Sequence, residues 1–366
     1  MTTPFDRPVR IALDLLGGDH APGAIVAAVR LLADRRPDIT LVLVGPADLA
    51  AEHLGDVAGL RLVAAADVVA MDEEPGRAVR GKPGSTIRVA LGLLSSGDAD
   101  GVVSAGSTGA TIAAAHLELG RDASLSRSVL AAVIPGLANP VVVVDVGGSL
   151  TTSPAVLGEL AVHGAAYAGV RLGVENPRVG LLSIGVERGK GDALRRDGFA
   201  AIGAALESTS AVWQGNVEGS DVPLGTVDVV VTDGFTGNVL LKGLEGSLAL
   251  FRATVARFAP ETEAVVSAAV APLRPETQGG ALLLGVPGVI VVAHGASSAE
   301  AIVNSVELAA EAATGDWVAR ITARAAGAAP PPLAAAPAAT APSPAPATPA
   351  SAPATPSSAP AAAASA

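Results

Sequence analysis

A series of short apolar runs limits what this chain can fold into more than any other feature. VRIALDLL, ITLVLVG, ADGVVSAG, SVLAAVIPG, NPVVVVDVG, PRVGLLSIG, VDVVVTDG and VPGVIVVAHG recur between residues 9 and 323. Each reads as a β-strand that ends in Gly, Asp or Ser and gives way to a polar loop or a helix start. Helical patterns alternate with them. IVAAVRLLADR follows the first strand. TSPAVLGELAVHGAAYAGVRLG and SSAEAIVNSVELAAEAATGDWVARITARA read as two long helices, with Ser153 before Pro154, and Ser297/Ser298 with Glu300, as their start signals. Strand and helix in alternation predict an α/β fold of three α/β/α layers around a mostly parallel, doubly wound sheet. In such a sheet ligands collect at the carboxyl ends of strands.

Composition supports that frame and excludes several functions. Half of the 366 residues are hydrophobic but only 2% are aromatic, so Ala, Val, Leu and Gly must build the core. Small side chains suit helices packed closely on a parallel sheet. A formal net charge of -11 argues against a general nucleic-acid partner, which needs a basic face. The absence of cysteine removes disulfides, thiolate metal sites and a covalent Cys intermediate. The five histidines (20, 53, 116, 163 and 294) do not fall at zinc spacings, so no metal and no organic cofactor is expected. The amino-terminal stretch lacks a signal-type apolar region, and GGALLLGVPGVIVVAHG is too short and too interrupted to span a membrane. These features predict a cytoplasmic protein. Residues 326–366 are almost entirely Ala, Pro, Ser and Thr, a composition that cannot bury a core. The expected organisation is therefore one α/β domain over residues 1–325 and a disordered Pro/Ala-rich tail over 326–366.

Five polar turns carry the candidate chemistry. SAGSTGA places Ser104, Gly106, Ser107, Thr108 and Gly109 at the mouth of a helix, where backbone N–H groups, hydroxyls and the positive helix end favour an anion such as phosphate. Ser and Thr also cap ordinary helices, and no GK[ST] or GxGxxG is present, so neither a Walker loop nor a dinucleotide fingerprint is formed. DLLGGDHAPG follows the first strand. It brings Asp14, Gly18, Asp19 and His20 into one turn, with Asp19 as helix cap the structural alternative. SIGVERGKGDAL sets Lys190 between two glycines just after a strand, where it can reach a cleft or remain a solvated loop lysine. TDGFTGNVLLKGLEG is the sharpest signal, with Asp233, Thr236, Gly237 and Asn238 on a glycine-rich strand-to-helix turn. His294 ends another strand in AHGASSAEAI. Turns of this kind in one sheet point to a shared cleft.

Together these segments resemble the phosphate acyltransferases of bacterial phospholipid synthesis, the PlsX family. The resemblance runs in order through IALDLLGGDHAP, ADGVVSAGSTGA, RVGLLSIGVERGKGDAL, GNVEGSDVPLGTVDVVVTDGFTGNVLLKGLEG and GGALLLGVPGVIVVAHGASSAEAIVNSV, from residue 11 to about 306. Departures are Leu15-Leu16 for the family's Ala-Met, Ser107 for Asn, Asp192 for Asn after Lys190-Gly191, and DVGGS with Ser149 for DVGAN. The resemblance implies a fold like that of phosphotransacetylase and isocitrate dehydrogenase, a homodimer, and acyl phosphate made from acyl-acyl carrier protein and inorganic phosphate. The product would feed a downstream membrane glycerol-3-phosphate acyltransferase.

For that reaction Lys190 is expected to hold phosphate or the oxyanion, and Asn238 to polarise the thioester carbonyl. The SAGSTGA backbone, with Ser104, Ser107 and Thr108, would cradle phosphate. Asp14, Asp19, His20, Asp233 and His294 would shape the cleft. The resemblance also raises a peripheral contact with the inner face of the membrane through Leu248, Leu250, Phe251 and Phe258. Arg77, Arg80, Lys82 and Arg88 are the densest candidate docking patch for the acidic carrier protein, with a solvated loop and helix face as the alternative reading and Arg252, Arg257 and Arg274 as a second candidate. Three other readings compete: a short-chain phosphate acyltransferase acting on acyl-CoA, a non-catalytic module that binds phosphorylated ligands, and a nicotinamide dehydrogenase, which shares the distant fold but whose dinucleotide fingerprint is missing.

Overall fold

The computed structural model describes residues 7–327, apart from residues 56 and 58. The expected Pro/Ala tail beyond Gly327 and the first six residues lie outside the described residues. All described residues fall in one compact unit. Its sheet has eleven strands: β1 (Val9–Asp14), β2 (Ile39–Gly45), β3 (Arg61–Ala64), β4 (Gly101–Ser104), β5 (Val129–Ile134), β6 (Val141–Val144), β7 (Arg178–Leu182), β8 (Val212–Val217), β9 (Val229–Val231), β10 (Ala281–Leu284) and β11 (Ile290–Val292). The spatial order is β3-β2-β1-β4-β11-β10-β5-β6-β9-β7-β8. The runs of Val, Leu and Ile expected as strands all form them. Three strands escaped that reading for identifiable reasons. β3 and β8 are the edge strands: β3 is largely exposed and β8 is buried only at its last two residues, so neither carries a long apolar run. β10 is the first half of an apolar stretch that turns back at GVPG into β11.

The sheet is mostly parallel, as expected, but its two halves run in opposite directions. β1, β2, β3, β4 and β11 are parallel to one another, and so are β6, β7, β8 and β9. Between them β10 and β5 pair antiparallel with each other and with their outer neighbours β11 and β6. One row crosses every strand: Leu62, Leu43, Leu13, Val103, Val291, Leu282, Ala131, Val144, Val231, Leu181 and Asn216 stand side by side. Because the halves run oppositely, Asp14 and Ser104 leave this row at one edge of the sheet. Asp145 and Thr232 leave it at the other.

Helices cover both faces. One face carries α1 (Gly23–Arg35), α2 (Ala47–Leu54), α6 (Pro154–Arg171), α7 (Ala193–Leu206), α11 (Ala299–Thr314) and α12 (Trp317–Ala325), packed on Ile11, Leu13, Val103, Val142, Val144, Val229 and Val231. The other face carries α3 (Pro75–Gly81), α4 (Thr86–Ser95), α5 (Thr108–Glu118), the short α8 (Asp221–Leu224) and one side of α9 (Gly234–Phe258), packed on Ala12, Val102, Leu130, Ala132, Ile134 and Val143. A further short helix, α10 (Glu263–Val270), follows α9. Ser153 and Ser298 cap α6 and α11 as the start signals predict. The last long helix is not continuous, however. Asp316 adopts a left-handed φ of 50° and splits it into α11 and α12. Among the described residues no helix is long and apolar enough to cross a membrane.

The two halves anchor their inner strands with the same device. Asp100, just before β4, accepts the Arg10 backbone N–H at 2.8 Å and returns its own N–H to the Arg10 carbonyl, while its carboxylate also binds the Arg7 guanidinium. Asp228, just before β9, accepts the Arg178 backbone N–H at 2.8 Å and the same guanidinium at 2.9–3.0 Å, and likewise donates to the Arg178 carbonyl. Burial works to raise both carboxyls, but the arginine and backbone donors outweigh it and hold both below the usual carboxylate range. A folded-state pKa below the unfolded value gives stability that is present above about pH 4 and is lost as pH falls toward the folded value. Asp228→Asn should therefore lower stability near neutrality by about 1.5–3 kcal/mol and flatten the acid loss of stability below pH 4. Urea unfolding at a series of pH values checks both, and an unchanged acid slope would contradict the assignment.

Candidate functional site

At the first edge of the sheet, the turns after β1, β4 and β11 are tied into one surface. Asp14, at the end of β1, is buried, and its carboxylate accepts the Ser104 hydroxyl at 2.8 Å and the Leu16 backbone N–H at 3.1 Å. Burial raises this carboxyl, and the Thr86 and Ser104 hydroxyls oppose the rise. Ser104 also accepts the Gly106 N–H at 3.0 Å, so its hydroxyl is committed inward to the two turns. Gly18 takes φ 106° and lies where a Cβ would meet the Gly295 carbonyl at 2.9 Å. This close approach lets the Asp19 N–H donate to that carbonyl at 2.7 Å, joining the β1 and β11 turns. Asp19 is not a helix cap. α1 starts four residues beyond it, after Pro22, without a side-chain cap, because the intervening His20-Ala21 segment is still turning. Asp19 and His20 are exposed instead. Ser107 caps α5 by accepting from the Ala110 N–H, which places Thr108 and Gly109 in the first helical turn. His294 is exposed just past β11, and its Nδ1 accepts the Ala296 N–H at 3.0 Å.

At the second edge the organising residue is Asp145, which directly follows the valines of β6. One carboxylate oxygen accepts N–H groups from Leu130, Gly147 and Gly148 at 2.7–3.1 Å, and the other accepts from Ser149 at 2.7 Å. Burial raises this carboxyl, and the four backbone donors counter the effect. The first turn of α9 rests directly on this loop. A Cβ at Gly234 would strike the Ser149 carbonyl and the Asp145 carboxylate, and one at Gly237 would strike the Asp145 carbonyl. This contact explains the two glycines of DGFTGN. Asp233 caps α9, accepting the Thr236 N–H at 2.9 Å and the Thr236 hydroxyl at 2.8 Å. Burial works to raise Asp233, but the Thr236 donors and the Arg195 guanidinium hold it below its usual value. Arg195 reaches across from α7 to bind Asp233 and the Thr232 and Thr236 hydroxyls. Asn238 is left exposed in the second turn of α9, beside Gly147.

The two edges meet in a groove of about 400 Å³. It is lined by Thr108 and His294 from the first edge and by Asn238 from the second, over a floor made by β5. Of the residues expected to act together, these three are gathered. Asp14 and Ser104 are buried beneath the first edge, and Asp233, Thr236 and Gly237 build the start of α9. Lys190 lies on the exposed loop between β7 and α7, outside the groove lining, and its ammonium has no ion-pair partner among the described residues. Reasoning from sequence missed Asp145 and Arg195. An aspartate directly after four valines and before two glycines was a usable signal for the first. Arg195 had none, because its partners lie about forty residues away along the chain. Among the described residues no three His, Asp or Glu side chains are gathered closely enough to hold a metal ion. The groove instead offers a carboxamide, a hydroxyl and an imidazole, groups suited to orienting an anion and a carbonyl.

Residues 9–320 match the family described as fatty acid synthesis protein. The phosphate acyltransferase of Gloeobacter violaceus is 39% identical over 323 residues, covering 84% of this chain and 94% of its own length. That of Thermosynechococcus vestitus is 41% identical over 325 residues, covering 84% and 93%. Among solved structures, a phosphotransacetylase from Streptococcus pyogenes superposes with a TM-score of 0.56 at 17% identity, covering 84% of this chain and 94% of that one. A branched-chain phosphotransacylase from Enterococcus faecalis gives 0.55 at 13% identity, covering 86% and 99%. The structural likeness bears out the expected phosphotransacetylase-like fold, and the sequence likeness reaches further: this chain belongs to the phosphate acyltransferase family, enzymes of fatty acid and phospholipid synthesis.

Proposed function

We propose that this enzyme transfers the acyl group of acyl-acyl carrier protein to inorganic phosphate. A phosphate oxygen attacks the thioester carbonyl carbon, the C–S bond breaks, and the proton of hydrogen phosphate leaves with the carrier's thiol. Acyl phosphate is the product. Phosphate is already a nucleophile at neutral pH, so the protein needs to bring two anionic partners together and stabilise the oxyanion. The observation that carries this reading is the groove itself, which joins Thr108 and His294 from one half of the sheet to Asn238 from the other.

In this reading the Asn238 amide donates to the thioester carbonyl, and the first turn of α5, with Thr108, faces phosphate. Lys190, exposed on a glycine-flanked loop and without an ion-pair partner among the described residues, supplies a positive charge from the second edge. Asp14, Asp145, Asp233 and Arg195 hold the turns in place. The reacting domain is residues 1–325, and the Pro/Ala tail takes no part. A homodimer, a cytoplasmic location and delivery of product to a membrane glycerol-3-phosphate acyltransferase belong to the same reading. Exposed Leu250, Phe251 and Phe258 on α9 support contact with the membrane surface. The basic docking patch is weaker than its residue types suggest. Lys82 pairs with Glu73 and Arg88 with Glu118, which leaves exposed Arg77 and Arg80 of α3 as the charges open to an acidic carrier.

Two outcomes test the proposal. Acyl phosphate should form from palmitoyl-acyl carrier protein and phosphate at a much higher kcat/KM than from short-chain acyl-CoA. Equal or better turnover of acetyl-CoA would assign the enzyme to the short-chain class. Lys190→Ala should lower kcat by about 10²–10³ without changing the melting temperature. Activity close to that of the unmutated enzyme would return Lys190 to the status of a loop residue.

A further inference from the structure

We propose that Asn216 is a positioning residue for the acyl transfer and acts through Lys190. The inference rests on the reading of Lys190 as the charge that serves the reaction, and it assigns what sets that charge in place. Lys190 lies at the end of a largely exposed segment, residues 184–190, between β7 and the cap of α7. Both ends of the segment are fixed. The Ser183 N–H donates to the Val217 carbonyl of β8 at 2.8 Å, and Asp192 caps α7 by accepting the Arg195 N–H at 2.9 Å. Between those points the chain closes a turn in which the Lys190 N–H donates to the Glu187 carbonyl at 2.9 Å. Asn216 holds the same carbonyl, since its Nδ2 donates to it at 2.8 Å. One carbonyl oxygen therefore ties the turn that carries Lys190 to the sheet.

A bulge aims Asn216 at this turn. Val179 and Leu181 of β7 stand beside Trp213 and Asn216 of β8, so two steps along β7 match three along β8. The additional residue falls at Gln214-Gly215, where Gly215 takes φ 83°, a conformation that suits glycine. In an unbroken strand, residues three apart face opposite sides of the sheet. Here Trp213 and Asn216 align with Val179 and Leu181, which both belong to the core beneath α7. Trp213 packs edge-on against Phe199 of α7, and Asn216 is turned to the same side, under the segment that leads into that helix.

Packing alone does not account for an asparagine at this position. Asn216 is only 4% exposed, and its Oδ1 has no hydrogen-bond partner. A carboxamide left half-satisfied in the interior is destabilising, and an apolar side chain would leave no polar atom unmet. What the amide supplies in return is the bond to Glu187. That carbonyl only accepts, so the amide nitrogen must face the turn. Two further ties come from α7 and its approach. The Arg188 guanidinium lies 5.3 Å over the Phe199 ring, and Arg196 donates to the Gly191 carbonyl at 2.7 Å. None of these contacts uses the Lys190 ammonium, so the turn is held while the charge stays available.

Asn216→Asp keeps the size of the side chain and removes its donor. Its kcat for acyl phosphate formation from palmitoyl-acyl carrier protein should fall by about 10- to 10²-fold, as expected for a reacting group misplaced by about an ångström, with KM for the carrier protein changed by less than about two-fold. Because Asn216 acts through Lys190, the same substitution added to Lys190→Ala should lower kcat by less than about two-fold further. Amide hydrogen exchange should quicken over residues 184–190 and stay unchanged in the rest of the chain. Asn216→Ser, whose hydroxyl is too short to reach Glu187 and which adds no charge, should give the same readings and decides the matter if the aspartate variant does not fold. An unchanged kcat in either folded variant, a full additional loss in the Lys190→Ala background, or unchanged exchange over residues 184–190 would overturn the inference. Near-normal activity of Lys190→Ala by itself would instead remove the reading of Lys190 on which it rests.

Discussion

The second half of this structure depends on one buried carboxylate. Asp145 gathers the N–H groups of Leu130, Gly147, Gly148 and Ser149 where the antiparallel β5 meets β6. A charge taken out of water is costly unless its lone pairs are satisfied, and here four donors satisfy them. In return the carboxylate fixes three things together: the first strand of the groove floor, the loop at residues 147–149, and the platform on which α9 begins. Gly234 and Gly237 bring that helix down onto the platform, and Asp233, held by Arg195, starts it at a defined point. Asn238 thus stands about one helical turn beyond a rigid anchor, on a helix rather than a loop.

The reversal of the sheet explains why that anchor matters. Ser104 and Asp145 each sit one residue beyond the row that links Val103 to Val144, yet they leave it in opposite directions. Four strand spacings of about 4.8 Å separate them, roughly 19 Å across the sheet. A parallel sheet with all its carboxyl ends on one edge would line up the phosphate-type turns side by side. Here the first half presents the mouth of α5 and His294, while the second half sends α9 across the intervening strands. One groove results, lined from both halves of the sheet.

Much of this was legible in the sequence. Runs such as VVVVDVGG and VVVTDG identify buried strands because nothing polar interrupts them, and Ser107, Ser153 and Ser298 mark helix starts that the structure keeps. Other features were hidden for physical reasons. A strand's composition does not encode its direction, so the opposed halves could not be read. Edge strands such as RLVA and VWQGNV need no apolar run. Ser104 looks like a ligand donor in isolation, and only the fold reveals that Asp14 and Gly106 already occupy its hydroxyl. Asp19 is a good cap residue by type, but Pro22 and Gly23 begin the helix instead. The groove was invisible because a chain rich in Val, Leu and Ala offers no contrast by which to locate one.

The central claim is that both halves of the sheet act on one bound substrate. A crystal structure with inorganic phosphate and an unreactive thioether analogue of a long-chain acyl thioester tests it directly. The account predicts one analogue molecule with its carbonyl within hydrogen-bond reach of Asn238, and phosphate beside Thr108 or His294. An analogue held by the turns of one half alone, with Asn238 untouched, would contradict it.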